Sequence, residues 1–119
     1  MTRITQRKGD TAVAQAIATF THLGHDVAIP LTESASYDLI IDMGNALKRV
    51  QVRYAHNGEV DLRRIHSNSK GYVIKKPDED AYDWLYIFSG AGKEYLIKSC
   101  PHGRRSIKPK DSDLIHGTN

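Results

Sequence analysis

The chain has 119 residues, with 17 Lys and Arg against 14 Asp and Glu and a formal net charge of +3. That length accommodates one domain and excludes two, and 39% hydrophobic with 26% charged residues is the make-up of an ordinary globule. No apolar run approaches the roughly 18 to 20 residues of a membrane-spanning helix, and the mild basic excess permits a polyanion partner without demanding one.

Residues 1–8 are polar and basic and are expected to be less ordered. No apolar segment of the kind a secretory leader needs follows them. Asp10 suits a helix N-cap. Val13, Ala16, Ile17, Phe20 and Leu23 recur at helical spacing, which predicts a helix over Thr11 to Leu23 closed by Gly24. Strands are expected at Asp26 to Ile29, Tyr37 to Met43, Leu47 to Tyr54 and Glu59 to His66, with a loop over Leu31 to Ser36. Ser67 to Lys76 reads as a polar, basic loop, and Tyr82 to Phe88 with Glu94 to Lys98 reads as a second hairpin. Trp84, Tyr86 and Phe88 alternate with Leu85 and Ile87, so both faces of that strand are apolar. A central strand or one at an oligomer interface has this pattern. The basic, turn-rich residues 101–119 carry no assignment and are expected to be less ordered. The expected fold is α+β: one domain over residues 1–119, its N-terminal helix packed on a mixed, mostly antiparallel sheet. Cys100 is the one cysteine, so no internal disulfide forms and a reducing cytoplasm is expected.

The first hairpin carries the most chemical information. Gly44-Asn45 is a tight-turn signal, and a two-residue loop there pairs Met43 with Ala46 and hence Asp38 with Gln51. A loop at Asn45-Ala46 pairs Asp38 with Arg53 instead. Opposed residues share a face, so either register gathers Asp38, Gln51 and Arg53, whereas an odd-length loop breaks the parity. Asp42 shares that face but lies near the turn. A carboxylate, an amide oxygen and a cation on one sheet face suit a divalent metal beside a phosphate. They equally suit a solvated Asp38–Arg53 salt bridge of little energetic worth.

Asp38 and Gln51-Val52-Arg53, behind a helix introduced by Lys8-Gly9-Asp10, resemble the PD-(D/E)XK nuclease superfamily. More narrowly they resemble its group I intron homing endonuclease branch, with Holliday-junction-resolvase-like relatives. Gly24-His25-Asp26-Val27-Ala28-Ile29-Pro30, Ser36-Tyr37-Asp38-Leu39-Ile40-Ile41-Asp42 and Arg49-Val50-Gln51-Val52-Arg53 carry the likeness. Asp83-Trp84-Leu85-Tyr86-Ile87-Phe88 and Glu94-Tyr95-Leu96-Ile97 extend it to about Lys98.

The resemblance implies a restriction-endonuclease-like domain that hydrolyses phosphodiester bonds with magnesium or manganese. Asp38, Gln51 and the Val52 backbone carbonyl would be metal ligands, and Asp38, Gln51 and Arg53 the catalytic residues. It further implies double-stranded or branched DNA as substrate, a homodimer or homotetramer, and a prokaryotic or phage cytoplasm as setting.

Two positions depart from the family pattern. Arg53 stands where lysine is usual, keeping the charge but unable to accept a proton. Val13 stands where many relatives place a helix glutamate, and Gln15, the nearest polar residue, lies about 200° around the helix from it. A catalytically degenerate relative that binds DNA or protein without cutting is the alternative these departures support.

Lys8, Arg63, Arg64, Lys70, Lys75 and Lys76 are candidate DNA-phosphate contacts, or else charges of a solvated loop. Arg104, Arg105, Lys108 and Lys110 have the same two readings, as phosphate contacts or as a soluble end. Cys100 and His102 lack a zinc spacing.

Overall fold

The computed structural model describes residues 3–62, 64–68, 71–75 and 80–115. Helix α1 spans Arg3–His22. It starts a full two turns before the predicted cap, and Asp10 is an exposed interior position. Arg, Gln and Lys are good helix formers, and one exposed glycine, Gly9, costs too little to break the run. Gly24, at φ +93°, ends the helix. Its N–H bonds the Thr21 carbonyl and that of His25 bonds the Phe20 carbonyl. Leu23 therefore lies past the last helical turn and is exposed instead of joining the buried stripe.

Among the described residues nine strands follow: β1 (Asp26–Ala28), β2 (Leu39–Asp42), β3 (Leu47–Ala55), β4 (Val60–Asp61), β5 (Arg64–Asn68), β6 (Gly71–Lys75), β7 (Trp84–Ser89), β8 (Glu94–Ile97) and β9 (Ser106–Ile107). The main sheet has the order β1-β2-β3-β7-β8. β3 and β7 run parallel, with Gln51 beside Leu85 and Arg53 beside Ile87, while the other neighbours are antiparallel. The sheet is thus mixed and mostly antiparallel, as expected for an α+β restriction-endonuclease-like fold.

The described part of the segment expected as a loop, residues 67–68 and 71–75, is strand instead. β5 and β6 form an antiparallel pair in which Arg64 faces Lys75. The Val73-Ile74 step within an otherwise polar stretch suits a strand better than a loop.

Two apolar clusters lie on opposite faces of the main sheet. On one, Ala12, Ala16 and Phe20 of α1 pack against Leu39, Ile41, Val50, Val52, Trp84 and Tyr86. The alanines let the helix axis approach closely, and the Phe20 ring lies 6.3 Å from Trp84 and 5.9 Å from Tyr86, centroid to centroid. The other face holds Ala55, Val60, Leu62, Tyr82, Leu85 and Ile87. β7 is consequently buried on both sides, as its double apolar pattern requires of a central strand. The segment after β8 folds back over this second face. Cys100 and Ile107 pack on the cluster, β9 pairs with β4, and the Leu62 N–H bonds the Arg105 carbonyl at 2.9 Å.

Candidate active site

The β2–β3 hairpin turns through Gly44-Asn45. Gly44 sits at φ +88°, where only glycine is unstrained, and the Met43 N–H bonds the Ala46 carbonyl at 2.9 Å. Asp42 accepts the Gly44 N–H, which commits it to the turn and away from Asp38. The register is the first of the two considered: Leu39 faces Val50, so Asp38 falls opposite Gln51.

Asp38 stands one residue before β2. Its own N–H bonds the Val50 carbonyl at 2.9 Å, and Oδ2 of its side chain receives two donors. These are Nε2 of Gln51 at 2.9 Å and the Val52 backbone N–H at 2.8 Å. Once Nε2 is committed to Asp38, the Gln51 oxygen is the end of the amide left to accept or ligate. N–H and C=O of one strand residue point the same way, so the Val52 carbonyl emerges on the Asp38 side of β3.

Arg53, two residues on, shares the Gln51 face. Its Nε is buried and has no hydrogen-bond partner among the described residues. Tyr82, 5% exposed, lies within the electrostatic reach of Arg53, and its phenol pKa is pushed well up. Burial is the largest cause, followed by the electrostatic effect of Cys100 and its hydrogen bond, while the Arg53 charge works against all three. Asp38, Gln51 and Arg53 thus occupy the face opposite α1.

Arg49, two residues before Gln51 on the same face of β3, pairs with Asp83. Asp83 accepts the Arg49 backbone N–H at 2.8 Å and meets Nε at 3.3 Å, while its own N–H bonds the Arg49 carbonyl. The Arg49 guanidinium also lies 5.8 Å from the Tyr37 ring. Next to Asp38, Ile29 to Tyr37 border a depression of about 200 Å³ that includes Glu33. Sequence reasoning passed over Glu33 and Tyr82, because nothing in a loop residue's local pattern reveals a neighbour brought in by tertiary packing.

The remaining candidates are dispersed. Val13 packs into the helix-side apolar cluster, and Gln15 donates to Thr19 on the same helix. Lys8 lies over the Tyr54 ring at 5.5 Å, on the helix side of the sheet. Arg64 and Lys75 are register partners in β5 and β6, while Arg63, Lys70 and Lys76 lie outside the described residues. Among the described residues, no three acidic, His or Cys side chains cluster as a metal site, and no helix is long and apolar enough to cross a membrane.

Comparison with known proteins bears on the family and the fold. A bacterial homing endonuclease, I-Ssp6803I, is similar in structure with a TM-score of 0.74 and 26% sequence identity, over 92% of this chain and 80% of that one. No curated protein sequence matches. The family model for the PD-(D/E)XK endonucleases matches residues 3–97, and the chain belongs to that family.

Proposed function

We propose that the chain is a magnesium- or manganese-dependent DNA endonuclease of the homing type, acting at the face that carries Asp38, Gln51 and Arg53. The observation that carries this reading is the Asp38 carboxylate, held by the Gln51 amide and the Val52 N–H on one oxygen. The donors there are all oxygen: a carboxylate, the Gln51 amide oxygen and the Val52 carbonyl. Such a set fits magnesium, which takes one or two carboxylates and completes its shell with waters and substrate phosphate.

When bound, the ion would supply a water of lowered pKa and charge stabilisation at the phosphate under attack. Asp38 holds its place because two N–H groups fix its rotamer. Gln51 links the two strands and orients the carboxylate. Arg53 places a permanent positive charge on the same face as the carboxylate, where it can offset negative charge growing on the phosphate. With no lysine at this position, proton removal from the attacking water falls to solvent or to the phosphate.

Two strand cuts call for two sites, so a homodimer or homotetramer is part of the proposal. The exposed Ile29, Leu31 and Leu47 near edge strand β1 are apolar surface that a second copy would cover. A lone half-buried cysteine is in keeping with a prokaryotic or phage cytoplasm.

The test incubates the protein with supercoiled plasmid, linear duplex and four-way-junction DNA in magnesium or manganese. Cutting that EDTA stops and that Asp38→Asn abolishes is the expected result. Preference for the junction would move the assignment to a resolvase-like nuclease. Metal-independent binding without cutting would sink the enzyme reading. It would favour the degenerate one, which the apolar packing of Val13 supports.

A further inference from the structure

The segment that folds back over the Arg53 side of the sheet encloses a cleft of about 580 Å³, lined by residues between Ile97 and Asp113. Its floor is apolar: Ile97, Cys100 and Ile107 rest on the cluster formed by Leu85 and Ile87. Its rim carries Arg104, Lys108 and Lys110 against one acid, Asp113. Asp113 is already engaged, accepting the Lys110 backbone N–H at 2.9 Å. The three cations are exposed, yet the backbone beneath them is fixed by the β4–β9 pairing and by a single 3-10 turn over Asp111–Asp113.

This cleft lies on the same face of the sheet as the candidate active site. Cys100 in its wall is hydrogen-bonded with Tyr82, and Tyr82 lies in the field of Arg53. Tyr82 and Cys100 belong to the apolar cluster on the face that carries Gln51 and Arg53, so the cationic rim and the candidate site share one side of the sheet. Lys8, by contrast, sits on the opposite face over Tyr54.

We propose that the cleft bordered by Arg104, Lys108 and Lys110 grips the DNA backbone beside the scissile phosphate. This rests on the nuclease reading and adds the surface that holds the substrate. Cations on a fixed rim neutralise phosphates and release counterions, so each contact steepens the salt dependence of binding by about 0.9 in log–log slope.

The experiment measures anisotropy of a labelled duplex over a salt series in EDTA, which keeps the strands whole. Two double variants remove the same charge: Lys108→Ala with Lys110→Ala in the cleft, and Lys93→Ala with Lys98→Ala outside it. The cleft variant is expected to lower the slope by about 2 and weaken binding about tenfold at moderate salt, with the other variant close to wild type. Equal slopes for both variants, or no duplex binding by the wild-type protein, would overturn the proposal. Plasmid cleavage is scored in parallel. Wild-type protein that cuts with an unmoved cleft-variant slope loses the cleft alone. A lowered slope in a protein that never cuts keeps the cleft as a DNA site and removes the nuclease.

Discussion

Gln51 donates its side-chain amide to the Asp38 carboxylate at 2.9 Å across the β2–β3 pair, and the Val52 N–H reaches the same oxygen at 2.8 Å. The carboxylate is therefore positioned by the strand pairing itself, before any substrate arrives. Asp38→Asn keeps an oxygen that can accept the Val52 N–H but removes the charge. Cleavage is expected to fall by at least about 10²-fold. The melting midpoint should move by less than about 5 °C, near 1 kcal/mol at this chain length. A collapse of the fold in that variant would show the aspartate to be structural.

Arg53→Lys separates charge from shape. Burying a donor without a partner costs roughly 1 to 3 kcal/mol, and lysine has no nitrogen where Nε lies. The variant is expected to melt higher than the parent and to cut faster, since an amine can take up a proton that a guanidinium cannot. Lost cleavage at an unchanged midpoint would mean that this site works through the planar guanidinium fork.

What could be read in advance was the local chemistry. Gly44-Asn45 signalled a tight turn, and either even-length loop there puts Asp38, Gln51 and Arg53 on one face. Which of Gln51 and Arg53 stands opposite Asp38 was settled only by the register. The double apolar alternation around Trp84 pointed to a central or an interface strand, and β7 lies between β3 and β8 inside the sheet. The parallel pairing of β3 with β7 was not legible, because no residue in either strand names its partner across the intervening chain. The helix start was misread because Asp10 has the right chemistry for a cap, while the good helix formers before it outweighed that signal. Residues 101–115 carried no assignment because Ile107 packs on the second cluster singly, just after Cys100, and an isolated apolar residue leaves no periodic trace.

The Arg49–Asp83 pair ties the start of β3 to the approach to β7. The hydrogen bond from Arg49 is the main force holding the Asp83 carboxyl below its usual range, and partial burial opposes it. The folded state then binds fewer protons than the unfolded one near the carboxylate's ordinary pKa. The pair's contribution is present above about pH 4 and is lost as the pH falls below it. Both side chains are partly exposed, so Asp83→Asn is expected to cost only about 0.5 kcal/mol at neutral pH. Denaturant melts at pH 7 and pH 3 should converge for the two proteins. A difference that persists undiminished in acid would assign the effect to the backbone contact with the Arg49 N–H.

Alkali offers the complementary test, on two tyrosines that flank the sheet. Tyr86 is fully buried on the helix side, where its hydroxyl donates to Glu94 at 2.6 Å and Thr19 donates to the same carboxylate oxygen. Burial is the larger cause that pushes its pKa far up, and the Glu94 hydrogen bond adds to it. Tyr82 on the other face is pushed up by burial and then by Cys100. An unfolded tyrosine releases its proton near pH 10 or so while these two retain theirs, so the unfolded chain binds fewer protons. Their contribution is complete below about pH 10 and declines as the pH climbs past it. Near-ultraviolet titration of the six tyrosines should show two that ionise only together with loss of the folded circular dichroism signal. Tyr86→Phe leaves the Glu94 carboxylate one donor short and should cost about 1 to 3 kcal/mol at neutral pH. It should also reduce the unfolding-linked set from two tyrosines to one. If all the tyrosines titrate freely in the folded protein, neither buried phenol is held as the structure places it.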